Sequence, residues 1–413
     1  MIQAPVRTGL VYHFVAEAES KMSSHLGLVG YHSIQFFVKD LERAVRWHKE
    51  KFDFREVARS TRDSEKRHGM RSIVLRGAGQ IGWIFTQPIE DASTAGKYLK
   101  CHPEGVGFLN FEVKNIEKTC EFLAERKAPF LYDIQIDKGA NGQWRETAIA
   151  TPLSDAGFRF IEKSNYASFA PGFEWTADWN TVGGNKYKFS DIDHVTCNMR
   201  AMIGLTEFYR HCLGFERYWG IDFHTAHHNP TGGTGSGLES IVMWDPHSGI
   251  KFATNQPLAP YFNNSQIQIY IEDNGGGGIQ HFALSVPEII PVVRDLRKDG
   301  CRFLDAPGKY YEQLPKRIEE NQIGTIKEPM DQIRKEGILV DGRENKYLLQ
   351  LFMKEMCEQF GDTRGGPFFY EIIQRAGDPG FGDGNFKALF DSIEQGQVAH
   401  SRQEMRDRID CLF

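Results

Sequence analysis

The sequence predicts an α+β protein of two domains, each built from two paired βαβββ modules whose sheets curl into open half-barrels. Three observations carry this. Four short apolar strands each open onto an amphipathic helix; a series of segments between Gly30 and Pro88 recurs in order between Asp193 and Pro257; and a second series beginning at Gly107 recurs from Gly278. A repeat this long implies duplication of a supersecondary unit, in which each copy leaves an apolar face for its neighbour to cover.

In the first module Tyr31-His-Ser-Ile-Gln-Phe-Phe-Val reads as a strand, and Asp40 caps a helix with Leu41, Ala44 and Val45 on one face. The chain leaves that helix at Phe52-Asp-Phe and continues through Arg71-Ser-Ile-Val-Leu and Ile84-Phe-Thr-Gln-Pro. The second module opens on Gly107-Phe-Leu-Asn-Phe-Glu-Val, followed by a helix with Ile116, Thr119, Cys120 and Leu123 on one face. Asp193-His-Val-Thr-Cys-Asn opens the third, with a helix presenting Met202, Leu205 and Tyr209, an exit at Phe215, and the strands Glu239-Ser-Ile-Val-Met and Ala253-Thr-Asn-Gln-Pro. Glycines 275–278 allow a tight backbone approach into the fourth, Gly278-Ile-Gln-His-Phe-Ala-Leu, whose helix presents Ile289, Val292, Val293 and Leu296. Between the halves, Ser164 to Lys188 is aromatic and lacks periodicity, so it is expected to be a linker that Trp175 and Trp179 pack down. The expected domains are 1–170, structural and without a metal, and 171–413, catalytic.

Composition narrows the function. At 413 residues, with 40% hydrophobic and 25% charged, the chain is long enough for two or more domains. A net charge of -6 and no basic, aromatic-interleaved patch argue against a nucleic-acid partner. The seven cysteines are scattered and never form Cys-x-x-Cys, which argues against both a zinc knuckle and a disulfide framework and fits a reducing cytoplasm. Arg7, His13 and Glu17 interrupt the first residues, and no apolar span is long enough for a bilayer, so neither a signal peptide nor a membrane segment is expected.

The repeat also locates chemistry. Equivalent positions of the four modules hold His32, Asn110, His194 and His281, so only the second half can pair two histidines. Strand alternation puts Ile192, His194 and Thr196 on one face, and Ile279, His281 and Ala283 on one face of another strand. His32 has no partner histidine and reads as a core residue. Glu371 is the best candidate for a third ligand, because an acid within the apolar run Phe368-Phe-Tyr-Glu-Ile-Ile is costly unless paired or metal-bound. Two histidines and a carboxylate suit a non-haem Fe(II) oxygenase, whereas zinc more often takes a closed tetrahedral set. His227 and His228, in a Gly/Thr-rich loop, read as solvated. Glycines 275–278 lack the strand-glycine-helix context of a nucleotide fingerprint.

A series of motifs in order, Asp193-His-Val, Ser265-Gln-Ile-Gln, Gly278-Ile-Gln-His-Phe-Ala-Leu, Gly337-Ile-Leu-Val-Asp, Leu348-Leu-Gln-Leu-Phe, Phe369-Tyr-Glu-Ile-Ile-Gln-Arg and Gly380-Phe-Gly-Asp-Gly-Asn-Phe, resembles the 4-hydroxyphenylpyruvate dioxygenases of the vicinal oxygen chelate superfamily. The resemblance implies a glyoxalase-like fold and Fe(II) held by His194, His281 and Glu371. It places Ser240, Asn255, Gln266, Gln280 and Gln350 around the substrate, Phe352, Phe369, Phe381 and Phe386 as aromatic walls, and Asn385 among the substrate contacts. It further implies conversion of 4-hydroxyphenylpyruvate and O2 to homogentisate and CO2 without external 2-oxoglutarate, in a cytoplasmic homo-oligomer, dimer or tetramer. Independently of the family, Gln350 and Phe352 share a strand face, as do Phe369 and Glu371, and a phenol ring beside a metal needs apolar walls and a few amides. The glycine-rich hinge from Gly380 leads into a helical stripe of Phe386, Leu389, Phe390 and Ile393, expected to be a lid.

The chain departs from the family pattern at Gln256, where glutamate is usual, at Ala253, where proline is expected, and in a longer connection across residues 360–367. These departures keep hydroxymandelate synthase, which hydroxylates the benzylic carbon of the same substrate, as the alternative. A non-catalytic aromatic-ligand-binding protein of the superfamily is a third reading, against which the possible ligand triad argues.

Overall fold

The computed structural model describes residues 25–77, 79–139, 141–180, 185–224, 237–258, 265–306, 308–382, 384 and 385. The first module comprises β1 (Leu28–Phe37), α1 (Leu41–Lys51), β2 (Arg55–Ser60), α2 (Arg62–His68), β3 (Met70–Arg76) and β4 (Gly82–Pro88). After α3 (Thr94–Cys101), the second comprises β5 (Gly105–Val113), α4 (Ile116–Glu125), β6 (Phe130–Lys138), β7 (Gln143–Ala150) and β8 (Gly157–Ser164). A short strand, β9 (Phe173–Trp175), precedes the third module of β10 (Ile192–Asn198), α5 (Ile203–His211), β11 (Glu216–His224), β12 (Gly237–Trp244) and β13 (Lys251–Pro257). After α6 (Gln266–Asp273), the fourth comprises β14 (Gly278–Ser285), α7 (Ile289–Lys298), α8 (Gly308–Glu320), α9 (Met330–Lys335), β15 (Leu339–Arg343), β16 (Lys346–Phe352), α10 (Met356–Phe360) and β17 (Phe369–Ala376).

The strands form a nine-stranded sheet, β6-β7-β8-β5-β1-β4-β3-β2-β9, and an eight-stranded sheet, β11-β12-β13-β10-β14-β17-β16-β15. In every module the first strand pairs in parallel with the last, and the two modules of a sheet meet through antiparallel first strands, β1 with β5 and β10 with β14. This is the arrangement the duplicated pattern predicts. Local signals hold too: the Asp40 carboxylate accepts from the Arg43 amide at 2.9 Å, and Leu41, Ala44 and Val45 are buried. Gly275 has φ +71°, and a Cβ there would come within 2.4 Å of the Cys101 carbonyl oxygen, so the glycine run is a close approach to the end of α3.

Of segment 164–188, the described residues 164–180 do pack down, and part of them becomes sheet. β9 pairs with β2, so the first sheet reaches past residue 170. Phe169 is buried against Val57, Ala58, Val74 and Ile84, and Trp179 stacks on it, whereas Trp175 stays 41% exposed. The long connection 360–367 ties the second domain to the first. Asp362 pairs with Arg43 of α1, and the Arg364 carbonyl accepts from the Glu104 amide at 3.1 Å. Among the described residues, helices α8 and α9 have no counterpart in the other modules.

Alternation along the central strands gives each sheet two distinct faces. The apolar backs meet: Phe36 and Trp83 of the first domain pack on Phe282 at centroid distances of 6.1 and 5.6 Å, Trp83 lies 5.7 Å from Tyr370, and Phe158 lies 5.6 Å from Phe252. Rings of this size carry the largest burial per residue, so one continuous core spans both domains. The opposite face of the second sheet is free for polar side chains. No helix among the described residues is long and apolar enough to cross a membrane.

Candidate active site

Three adjacent strands, β10, β14 and β17, bring His194, His281 and Glu371 together. His194 lies across from Ala283, and Ala283 lies across from Glu371, so the methyl group of Ala283 is all that stands between them in the row; His281 sits two residues back along β14. The Nε2 atoms of His194 and His281 are 3.4 and 3.3 Å from Glu371 Oε2, and one ligand atom from each residue lies within 4.8 Å of the others. All three are buried, at 5%, 6% and 1% exposure, and Glu371 Oε1 has no hydrogen-bond partner among the described residues. Two imidazole nitrogens and a carboxylate with an unmet buried oxygen are a donor set that fits a divalent metal.

The surroundings distinguish the two histidines. Nδ1 of His194 is 2.9 Å from Asp193 Oδ1, and Arg375 grips Asp193 with Nε at 2.5 Å and Nη2 at 2.7 Å. Nδ1 of His281 faces the Gln280 amide oxygen, at 3.2 Å. Burial disfavours the charged form of both rings, but at His194 the carboxylates of Glu371 and Asp193 outweigh it and raise the pKa, while at His281 burial wins and the pKa is lowered. Burial pushes the Glu371 carboxyl up, yet the two imidazoles outweigh it and keep its pKa below the usual value. An Nδ1 engaged in this way leaves Nε2 as the lone-pair donor, the tautomer a metal requires.

Aromatic residues enclose this cluster. Phe369 stacks on His281 at 4.7 Å, Phe352 meets it edge-on at 6.0 Å, and Phe381 lies 4.9 Å from the His194 ring, backed by Trp219 at 5.8 Å. Phe386 and the expected lid helix lie outside the described residues, as do His227 and His228. Of the amides, Gln350 is buried on β16 beside the backbone of Gly382, where a Cβ would come within 2.4 Å of its Nε2. Ser240 and Asn255 are direct cross-strand partners, and Gln266 opens α6. Ser240 Oγ, Asn255 Oδ1 and Gln266 Nε2 are buried without hydrogen-bond partners among the described residues. Asn385 is turned to Tyr310, whose hydroxyl donates to Oδ1 at 2.8 Å, and its Nδ2 is unmet. Asp193, Arg375, Ala283, Trp219 and Asn198 were not given roles by sequence reasoning. The Asp193-His194 dipeptide was a usable signal for the first.

The first domain shows the same slots without a ligand set among the described residues. His32 is buried, bonded to the neighbouring Ser33 hydroxyl at 2.9 Å, and packed between Trp144 and Phe169; burial lowers its pKa. Asn110 donates to Ser33 Oγ and accepts from Arg159 at 3.0 Å. Phe169 against His32, at 5.1 Å, repeats the contact of Phe381 with His194.

A profile described as the Glyoxalase/Bleomycin resistance protein/Dioxygenase superfamily matches residues 30–144 and 191–329. The chain is 32% identical over 382 residues to a 4-hydroxyphenylpyruvate dioxygenase of Caenorhabditis elegans, covering 90% of this chain and 92% of the relative. It is 31% identical over 386 residues to the enzyme of that name in Danio rerio, covering 90% and 91%. A solved mutant of 4-hydroxymandelate synthase from Streptomyces coelicolor shares the fold, with a TM-score of 0.74, 23% identity, and coverage of 90% of this chain and 99% of that one.

Proposed function

The chain belongs to the 4-hydroxyphenylpyruvate dioxygenase family of the glyoxalase/bleomycin resistance protein/dioxygenase superfamily, and from that premise we propose that it converts 4-hydroxyphenylpyruvate and O2 to homogentisate and CO2. The observation that carries the proposal is the buried convergence of His194, His281 and Glu371 within aromatic walls. We assign these three as the ligands of one Fe(II) per chain. Iron, when bound, supplies the redox chemistry for a 2-oxo acid and O2, and two histidines with one carboxylate leave room for both.

The protein's own part is placement and dryness. Asp193 and Gln280 hold the ring tautomers, and Phe352, Phe369 and Phe381 form apolar walls that exclude water and seat an aryl ring. Gln280, Gln350, Gln266, Ser240 and Asn255 supply the polar contacts, and we assign Asn385 and Phe386 as further substrate contacts. Residues 1–170 serve as the structural domain and 171–413 as the catalytic one. We further infer a cytoplasmic homo-oligomer. The six described cysteines are all free, and the edge strand β6 exposes Leu131 and Ile136 to half or more of their area, which suits a subunit contact.

The test is anaerobic loading with Fe(II), exposure to 4-hydroxyphenylpyruvate and O2, and product analysis. Homogentisate and CO2 should form one-for-one with O2 consumed, without added 2-oxoglutarate. Mainly hydroxymandelate would transfer the assignment to that synthase, and binding of the oxo acid with no O2 uptake would leave only a binding protein.

A further inference from the structure

We propose that Asn198 is a specificity-determining residue: with Asn255 it forms an amide pair that reads the hydroxyl at the far end of a para-hydroxyaryl 2-oxo acid, an inference that rests on the function proposed above. Asn198 ends β10, is 0% exposed, and lies across from Asn255 on β13, which lies across from Ser240 on β12. The three form one polar row over three strands. Two residues back along the same strands stands the row Thr196, Ala253 and Val242, and Phe381 packs on its Ala253 and Val242 while touching His194. At the rise of a strand the polar row lies about 7 Å beyond the apolar one, and Asn198 is about 13 Å along β10 from His194. A chelating head, a ring and a terminal polar group would meet metal ligands, apolar wall and polar row in that sequence.

The chemistry of the row selects the group. Asn255 Nδ2 donates to Asn198 Oδ1 at 3.1 Å, and Asn198 Nδ2 and Asn255 Oδ1 are left without partners among the described residues. Exchanging oxygen and nitrogen in both amides changes nothing, because whichever side donates, the pair keeps an unpartnered NH2 donor group and an unpartnered carbonyl acceptor. A carboxylate accepts only and would face that carbonyl; an ammonium donates only and would face that N–H. A hydroxyl does both, and a phenol keeps its proton near neutral pH. A ring lacking the hydroxyl leaves both amide groups buried and unmet, the situation in which binding sites discriminate most strongly.

The test compares 4-hydroxyphenylpyruvate with phenylpyruvate on the Fe(II)-loaded full chain, by anaerobic calorimetry for affinity and by kcat/KM for turnover. The unsubstituted protein should favour the hydroxylated acid about 10-fold or more, and Asn198→Leu should lose most of that ratio. Adding Asn255→Leu should lower the ratio little further, because the pair acts as a unit. Asn198→Asp, which keeps the shape and replaces the donor with an acceptor, should lower it too and serves if the leucine variant does not fold. A role in packing alone would weaken both acids alike, so an unchanged ratio in the variants, or equal binding by the unsubstituted chain, overturns the inference. Selective binding without homogentisate would sink the dioxygenase reading and leave this one standing.

Discussion

At the scale of single residues, the cluster of His194, His281 and Glu371 sets the first expectation. Alanine at any of them should abolish stoichiometric Fe(II) binding, measured as metal per chain after desalting, whereas His32→Ala should bind iron normally and lose about 2–4 kcal/mol of stability in a denaturant titration. Full metal content in His281→Ala would remove the assignment. Arg375 gives the second: with its bidentate hold on Asp193 lost in Arg375→Gln, His194 should be less well oriented, and metal affinity of the apo chain should fall about 10–100-fold. Unaltered affinity in a metal titration would show that Asp193 needs no clamp. These residues also show what a sequence can disclose. His194 and His281 were legible because the repeat supplied Asn110 as a contrast, and Glu371 because a lone acid in an apolar strand demands a partner. Arg375 was not, since it meets Asp193 across 182 positions of chain. Asn198 was not either: it reads as the end of the β10 strand, and its pairing with Asn255 across 57 positions of chain has no local signal.

At the scale of elements, β17 has two working faces. Glu371 points to the candidate metal site, while Tyr370, its neighbour, points to the first domain and bonds through its hydroxyl to His48 Nε2 of α1 at 2.8 Å. His48 is 2% exposed, its Nδ1 faces the Ala44 carbonyl at 2.7 Å, and burial lowers its pKa to about 3. The folded value lies below the unfolded one, so this histidine costs nothing above about pH 6.5. As pH falls from there towards 3, the unfolded chain takes up a proton that the native chain refuses, and stability drops by up to about 1.4 kcal/mol per pH unit. Replacing His48 with Gln should flatten that part of the stability profile between pH 6.5 and 3, as read by urea midpoints across pH; an unchanged acid limb would rule out His48 as its source. The opening strand and helix of each module, and the later strands that recur between the halves, were legible from alternation, helical spacing and repetition. Helices α8 and α9 were not, because they fall between Phe303 and Leu339, where no other module offers a segment to compare.

At the scale of the molecule, the two domains are joined by polar as well as aromatic contacts. Arg43 of α1 pairs with Glu104, which is only 4% exposed, and with Asp362 of the second domain. Arg43→Ala would strand the Glu104 carboxylate in the interface, so stability should fall by about 3–5 kcal/mol in denaturant unfolding, with Glu104→Gln on that background restoring part of it. A loss under about 1 kcal/mol would mean that water already reaches the carboxylate. The aromatic seam has a wider consequence. Trp83, Phe36 and Phe52 of the half without a ligand set lie against Phe282 and Tyr370, the immediate chain neighbours of His281 and Glu371. The half whose slots hold His32 and Asn110 is thus the mould against which the half with the histidine pair is cast. A smaller side chain at Trp83, Phe36 or Phe52 should therefore be felt at His281 and Glu371, through the neighbours those rings support.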